Sequence, residues 1–277
     1  MSGRAAPGAG AQGATPQLLH AVAAIARAAA AAILEVYRSG QFATRAKADD
    51  SPLTAADLAA HELIVAALGA LAPSLPVLSE EAAVQRPAAE RQRWPRYWLV
   101  DPLDGTREFL GGNGEFTVNI ALIDAHAPVL GVVHVPVRGA SYQGLAGQGA
   151  WREEGAVRTP IRVAPASRVP VRVVGSRSHR GDSLERFLAR AGEHELLPVG
   201  SSLKFCLVAE GAADVYPRLG PTSEWDTAAA HAVVVGAGGT VCGLDGAALR
   251  YNTRAGLLNP HFVAYGPADR DWLALLR

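Results

Sequence analysis

The sequence predicts a layered α/β protein built as one domain with two close subdomains. Short apolar runs of strand length alternate with segments of helical period along the chain. The 277 residues are enough to bury a sizeable core. A composition of 49% hydrophobic and 19% charged residues is that of an ordinary globular chain.

The first helix is bounded by its own chemistry. Thr15 is an N-cap, Pro16 suits the first helical position, and Leu18, Leu19, Val22, Ile25, Ala29, Ile33 and Val36 follow at helical spacing. Gly40 supplies the stop. A second helix opens near Thr54 with Asp57 three residues on, a variant of the capping box, and runs to Gly69 and Pro73. Strands are expected at residues 76–78, 97–100, 117–123 and 129–135, the last two joined as a hairpin, so part of the sheet is antiparallel. Beyond Val171, apolar runs at 171–174 and 262–265 alternate with helical patterns at 183–191, 203–211, 226–236 and 269–276. Residues 85–96, rich in arginine, read as a surface loop or flap, and the Gly/Ala stretch 144–155 as a joining segment. The division expected is a disordered tail over residues 1–15 and a domain over 16–277, with subdomains of roughly 16–155 and 156–277.

Charge and cysteine content narrow the function. Lys+Arg 26 balances Asp+Glu 26, which argues against a nucleic-acid binder. Cys206 and Cys242 cannot build a disulfide scaffold, so a reducing compartment is the default. Residues 1–15 lack the apolar core of a secretory signal, and no transmembrane segment is expected, the best stretch at 28–36 being interrupted by Glu35. The expected location is the cytoplasm; peripheral association with the inner membrane through amphipathic patches stays open, as does the oligomeric state. Only Lys47 and Lys204 are lysines, against 24 arginines, so each marks a place where a compact point charge matters or is incidental.

The chemistry concentrates in acids at the edges of elements. Asp101-Pro102-Leu103-Asp104-Gly105-Thr106 follows the apolar run 98–100, which puts Asp101 at a sheet edge where ligands bind in α/β folds. Two carboxylates three residues apart on such a turn converge and repel unless cations join them; alone, Asp-Gly-Thr reads as a polar turn. Glu80 and Glu81 lie past another short strand, and Asp226 lies at a helix start, where it reads equally as an N-cap. Taken together, the three acid sites suit hard divalent cations such as Mg²⁺, which prefer carboxylate and carbonyl oxygens. The cysteines and eight histidines show no zinc-ligand spacing.

Asp101-Pro102-Leu103-Asp104-Gly105-Thr106 paired with Trp225-Asp226-Thr227-Ala228 resembles the double signature of the inositol monophosphatase superfamily, the lithium-sensitive, magnesium-dependent small-molecule phosphatases. The segments 47–57, 76–81, 114–123 and 200–211 extend the likeness to the bisphosphate nucleotidase branch of that superfamily, over roughly residues 18–265. The resemblance implies a five-layer α/β/α/β/α sandwich with a metal site between the subdomains. It implies that Glu80, Asp101 and the Leu103 carbonyl hold one Mg²⁺ and that Asp101, Asp104 and Asp226 hold a second, with two or three ions in all. Thr106 and Asp57 would form the dyad that orients and deprotonates the attacking water, although Asp57 is equally placed as a capping acid. Gly105 and Thr106 would offer backbone N–H groups to the phosphate.

Two metals suit this chemistry, since a phosphate dianion repels the nucleophile until its charge is neutralised. The resemblance further implies that Ser176, His179, Ser202 and Lys204 contact a small-molecule nucleotide carrying a second phosphate. A helix N-terminus beside Lys204 fits that phosphate. Lys47 reads as a phosphate contact or a solvated charge. The implied reaction is Mg²⁺-dependent hydrolysis of the 3'-phosphate of 3'-phosphoadenosine 5'-phosphate, and of its phosphosulfate counterpart, in sulfate assimilation. The alternatives are an inositol or sugar phosphatase on the same scaffold and a catalytically silent binding protein.

Overall fold

The structure, a computed structural model, describes residues 13–40, 44–46, 52–177, 182–266 and 268–276. Residues 1–12 of the expected tail lie outside the described residues. Helix α1 (Pro16–Ser39) starts under Thr15, whose hydroxyl accepts the Leu18 N–H at 3.1 Å, and closes on left-handed Gly40. Strands β1 (Thr44–Ala46) and β2 (Pro52–Thr54) pair antiparallel and lead into α2 (Ala55–Leu71). Both bonds of the expected capping box between Thr54 and Asp57 are present, and α2 runs through Gly69.

A seven-stranded sheet carries Asp101 and Asp104. Its strands are β3 (Val77–Ser79), β4 (Arg96–Asp104), β5 (Thr117–Asp124), β6 (Ala127–Val135), β7 (Ala140–Leu145), β8 (Gly149–Glu154) and β9 (Val157–Ile161), in that spatial order. Only β3 and β4 run parallel; the rest are antiparallel neighbours. The expected β5–β6 hairpin turns at Ala125 and His126, both at positive φ as its tight reversal requires. Along β4 and β5 the side chains alternate between two cores. Trp98, Val100, Val118, Ile120 and Leu122 pack toward α1 and α2, while Tyr97, Leu99, Ala121 and Ile123 face the other way.

That second face meets α6 (Leu203–Ala209) and α7 (Ala228–Gly236), which form the central layer. Glycines permit the close approach: a Cβ on Gly131 of β6 would lie 2.1 Å from the Ala229 carbonyl oxygen, and one on Gly144 of β7 would lie 2.4 Å from that of Ala232. Beyond the helices lies a five-stranded mixed sheet. It is built from β10 (Val171–Ser176), β11 (His194–Val199), β12 (Val215–Arg218), β13 (Thr240–Gly243) and β14 (Phe262–Tyr265), in the order β11-β10-β12-β14-β13. Helix α5 (Asp182–Ala191) covers its outer face through Leu184, Phe187, Leu188 and Ala191. The five expected α/β/α/β/α layers are therefore present.

Four expectations change. Residues 144–155 are not a joining segment: they lie largely in β7 and β8, their small residues serving close packing against α7. Residues 269–276 form a single 3₁₀ turn (Ala274–Leu276). The 85–96 run contains a short helix, α3 (Ala88–Arg91), and Arg91 is buried rather than on a free flap. The Arg91 guanidinium donates to Asn252 Oδ1 and to the Ala255 carbonyl, and Asn252 Nδ2 donates back to the Arg91 carbonyl at 2.6 Å. Helix α1 also differs from the expectation that no segment could span a bilayer. By length and composition it is apolar enough to cross one. Here Leu19, Val22, Ala26, Ala29 and Ile33 are fully buried in the core it shares with α2 and the sheet.

Two buried histidines make this framework sensitive to acid. His231 of α7 meets the Tyr251 hydroxyl at 2.9 Å, and burial holds its pKa down at about 4. His134 of β6 meets the Ser141 hydroxyl at 2.8 Å; burial, then the Arg27 charge, lower it to about 4. Both lie below the unfolded value near 6.5, so the unfolded chain binds protons first as pH falls. The contribution of these two histidines is expected to be full above about pH 6.5 and to decline toward pH 4, by up to roughly 1.4 kcal/mol per pH unit per histidine. Urea midpoints at pH 7 and pH 5 check this, and His231→Gln is expected to flatten the slope.

Candidate active site

A β-bulge brings the first two acids together. Asp101 pairs with Asn119 and Asp104 with Thr117, so three residues of β4 advance against two of β5. In a regular strand, residues three apart point to opposite faces; the extra residue cancels that alternation. Asp226 arrives from the segment before α7, and one carboxylate oxygen from each of Asp101, Asp104 and Asp226 lies within 4.8 Å of the others. Asp101 is buried, its Oδ1 accepting the Leu103 N–H at 3.0 Å. Asp226 does not cap α7, a place taken by Thr227; its Oδ2 accepts the Thr222 hydroxyl at 2.6 Å and the Ser223 N–H at 2.9 Å.

The other expected residues surround this cluster. Glu80 opens a 3₁₀ turn (Glu80–Gln85) one residue past Ser79, which registers with Val100, so it lies beside the Asp101 end of β4. The Leu103 side chain is buried at the bulge among the residues facing α1 and α2. Gly105 sits in the left-handed region with φ 91°, which turns the chain into α4 (Thr106–Leu110) and makes Thr106 its first residue. Asp57 is fully buried and its Oδ2 accepts the Thr54 N–H at 2.8 Å, so the capping role is real. Helix α4 also packs against β2, which brings Thr106 to the segment that leads into Asp57.

A cavity of about 280 Å³ opens beside the acids, lined by Asp104, Thr106, Lys204, Tyr216, Arg218 and Asp226 among others. Ser176 and Ser202 also line it. His179 and Lys47 lie outside the described residues. Tyr216 and Arg218 were not among the sequence candidates; their signal was the Tyr216-Pro217-Arg218 run ahead of the Asp226 segment. Lys204 is buried, donates to the Ser201 carbonyl at 2.5 Å and lies 5.6 Å from the Tyr216 ring centroid.

Electrostatics mark the cluster as a cation site. Burial, then the Asp226 charge, push Asp104 up to about 7, against the opposing pull of Lys204 and the Ser202 N–H. Burial pushes Lys204 down to about 8, with Asp104 resisting the change. A crowded carboxylate such as Asp104 is what a hard divalent cation relieves, so this all-oxygen set fits Mg²⁺. Cation binding must displace the Asp104 proton. Mg²⁺ affinity is expected to rise by up to about tenfold per pH unit as pH approaches 7, then level off. Calorimetry from pH 5.5 to 8 checks this; a flat profile contradicts it.

Five layers around a two-sheet frame, with clustered acids at the end of a bulged strand, define the class. Residues 16–270 match the model of the inositol monophosphatase family. The chain belongs to this family, whose enzymes are metal-dependent. More particularly, it is 54% identical over 247 residues to the 3'(2'),5'-bisphosphate nucleotidase CysQ of Salmonella typhimurium, a match covering 88% of this chain and 98% of that protein. It is 52% identical to the CysQ nucleotidase of Escherichia coli K12, with the same coverage of both chains. The crystal structure of CysQ from Bacteroides thetaiotaomicron superposes with a TM-score of 0.78 at 41% identity, covering 92% of this chain and 98% of that one.

Proposed function

We propose that the chain is a 3'(2'),5'-bisphosphate nucleotidase that uses water to cleave the 3'-phosphate of 3'-phosphoadenosine 5'-phosphate, giving AMP and inorganic phosphate. One observation carries the reading beyond likeness to relatives: a single cavity joins Asp104 and Asp226 of the carboxylate cluster to cationic side chains, Lys204 and Arg218 among them. A substrate with two phosphates needs both ends. With cations bound, the acids would receive the 3'-phosphate, and Lys204 and Arg218 would pair with the second phosphate. 3'-Phosphoadenosine 5'-phosphosulfate presents the same charges and is the second substrate. The work served is the clearance of by-product nucleotide in sulfate assimilation, in the cytoplasm.

Glu80, Asp101 and the Leu103 carbonyl would hold one Mg²⁺ in this reading, and Asp101, Asp104 and Asp226 would hold another, two or three ions in all. Bound Mg²⁺ neutralises the phosphoryl oxygens and favours ionisation of water. Thr106 orients the attacking water, and Asp57 accepts the Thr106 hydroxyl proton so that its oxygen can take one from the water. The Gly105 and Thr106 N–H groups receive the phosphate at the start of α4. Ser176 and Ser202, which line the cavity, would contact the nucleoside together with His179.

The test is phosphate release with Mg²⁺ from 3'-phosphoadenosine 5'-phosphate, inositol 1-phosphate and fructose 1,6-bisphosphate. Strong preference for the nucleotide, lost in Asp101→Asn, is the expected result. Preference for a sugar phosphate would overturn the substrate assignment, and no release from any ester would leave a binding protein.

A further inference from the structure

The segment 114–123 is among the most distinctive stretches of the sequence, yet none of the roles above uses it. Its polar residues Glu115, Thr117 and Asn119 are spaced by two, so along the extended chain entering β5 they share one face. The intervening Phe116 and Val118 point into the core under α1 and α2. The polar face therefore turns toward the layer that carries the 200–204 turn and α6.

Each rung has a partner there. Thr117 Oγ1 lies 2.8 Å from Ser202 Oγ, and Ser202 Oγ donates to Asn119 Oδ1 at 2.8 Å. Asn119 Nδ2 in turn donates to Asp104 Oδ2 at 3.3 Å, and the Ser202 N–H donates to the same oxygen at 2.6 Å. A serine hydroxyl has one proton, and Ser202 gives it to Asn119, so Thr117 must be the donor to Ser202. The chain then runs in one sense from Thr117 to Ser202 to the Asn119 carbonyl oxygen, while the Asn119 amide delivers its proton to the carboxylate. Thr117, Asn119 and Ser202 are at most 2% exposed, so water does not substitute for any member. Asp104 Oδ2 is held by two donors, and Oδ1 is the oxygen with full capacity for a cation.

The outer rung is ionic. Glu115 takes Arg177 in a two-point pair, Nε to Oε2 at 3.1 Å and Nη2 to Oε1 at 2.8 Å, and its Oε2 also accepts the Gly200 N–H at 2.8 Å. Arg177 follows Ser176 at the end of β10 and donates to the Pro198 carbonyl at 2.7 Å. One carboxylate thus binds the ends of β10 and β11 together. The turn that follows β11 has no slack: Ser201 sits at φ 47°, and a Cβ on Gly200 would fall 2.4 Å from Glu108 Cγ.

We propose that Glu115, Thr117 and Asn119 are positioning residues that hold the 200–204 turn and the Asp104 carboxylate in fixed relation, so that metal binding and nucleotide binding reinforce each other. The nucleotide half rests on the proposed function, which assigns Ser202 and Lys204 to substrate; the metal half does not.

The test is calorimetry on the full-length protein with two probes, Mg²⁺ alone and AMP with and without Mg²⁺, beside melting curves. In the parent protein Mg²⁺ is expected to tighten AMP binding, and linkage requires AMP to tighten Mg²⁺ by the same factor. Asn119→Ala is expected to weaken Mg²⁺ binding by about 10- to 100-fold and to bring that factor close to one. Thr117→Val, which keeps the shape and removes one hydroxyl, is expected to weaken Mg²⁺ by about threefold or more; it decides the matter if Asn119→Ala does not fold. Glu115→Gln is expected to weaken AMP about tenfold and to leave Mg²⁺ within about twofold. A purely structural role would lower the melting temperature and leave the Mg²⁺ constants alone. Unchanged Mg²⁺ affinity in Thr117→Val, or unchanged AMP affinity in Glu115→Gln, overturns the proposal. If the parent fails to hydrolyse 3'-phosphoadenosine 5'-phosphate, the functional reading falls while the Mg²⁺ measurements still judge the ladder.

Discussion

Asp104→Asn is expected to reduce turnover by on the order of 10³-fold or more while leaving the folded protein at least as stable at pH 8. The two effects have one cause. Asp104 stands in a crowded acid cluster, where burial and Asp226 raise its pKa to about 7. A carboxyl with a raised folded pKa contributes most to stability when it is protonated, and that contribution is lost as pH climbs through about 7. Asparagine removes the charge and keeps the shape, so without metal the melting temperature at pH 8 is expected to hold or rise. In the proposed reaction catalysis needs the opposite property, because the charge would bind the cation. Losing a ligand forfeits several kcal/mol of transition-state charge stabilisation, and each 1.36 kcal/mol is about tenfold in rate. Phosphate release and thermal melting on the same preparation check both halves; full activity in Asp104→Asn would remove this residue from the metal site.

Lys204→Met is expected to raise KM for 3'-phosphoadenosine 5'-phosphate by on the order of 10²-fold, with a far smaller effect on inositol 1-phosphate. Methionine fills a similar volume, so what changes is the charge. Lys204 is buried at the cavity wall, where removing one partner of a desolvated charge pair costs about 2–5 kcal/mol. The same group predicts a pH dependence. Its pKa is lowered to about 8, so the ammonium is present below that pH and is lost above it. KM for the nucleotide is expected to climb as pH passes about 8, and Lys204→Met is expected to abolish that climb. Equal losses on both substrates would make Lys204 a support of the acid cluster instead of a specificity residue.

Much of this was legible before any coordinates. The caps at Thr15 and Thr54 and the stop at Gly40 place the ends of α1 and the start of α2 because capping is local chemistry. The acids announced themselves by residue type and by lying at the ends of apolar runs. Residues 144–155 escaped, since glycines and alanines that look like a joining segment are the small residues β7 and β8 need beside α7. Arg91 escaped for a related reason: an arginine in a loop reads as solvated until a buried acceptor such as Asn252 is found across 161 positions of chain.

By itself, then, the sequence determined the layered class, the helix ends, the acids and the family they resemble, all of which depend on neighbours a few residues apart. Tertiary structure decided how those acids meet. Asp101 and Asp104 share a face because β4 bulges against β5, and Asp226 joins them from 122 positions further along the chain than Asp104. Arg218 reaches the same cavity from another sheet, and Asn119 ties Asp104 to a turn 83 residues beyond it. Spacing in a chain sets which faces residues share within one element; convergence across elements depends on packing, and only the fold supplies that.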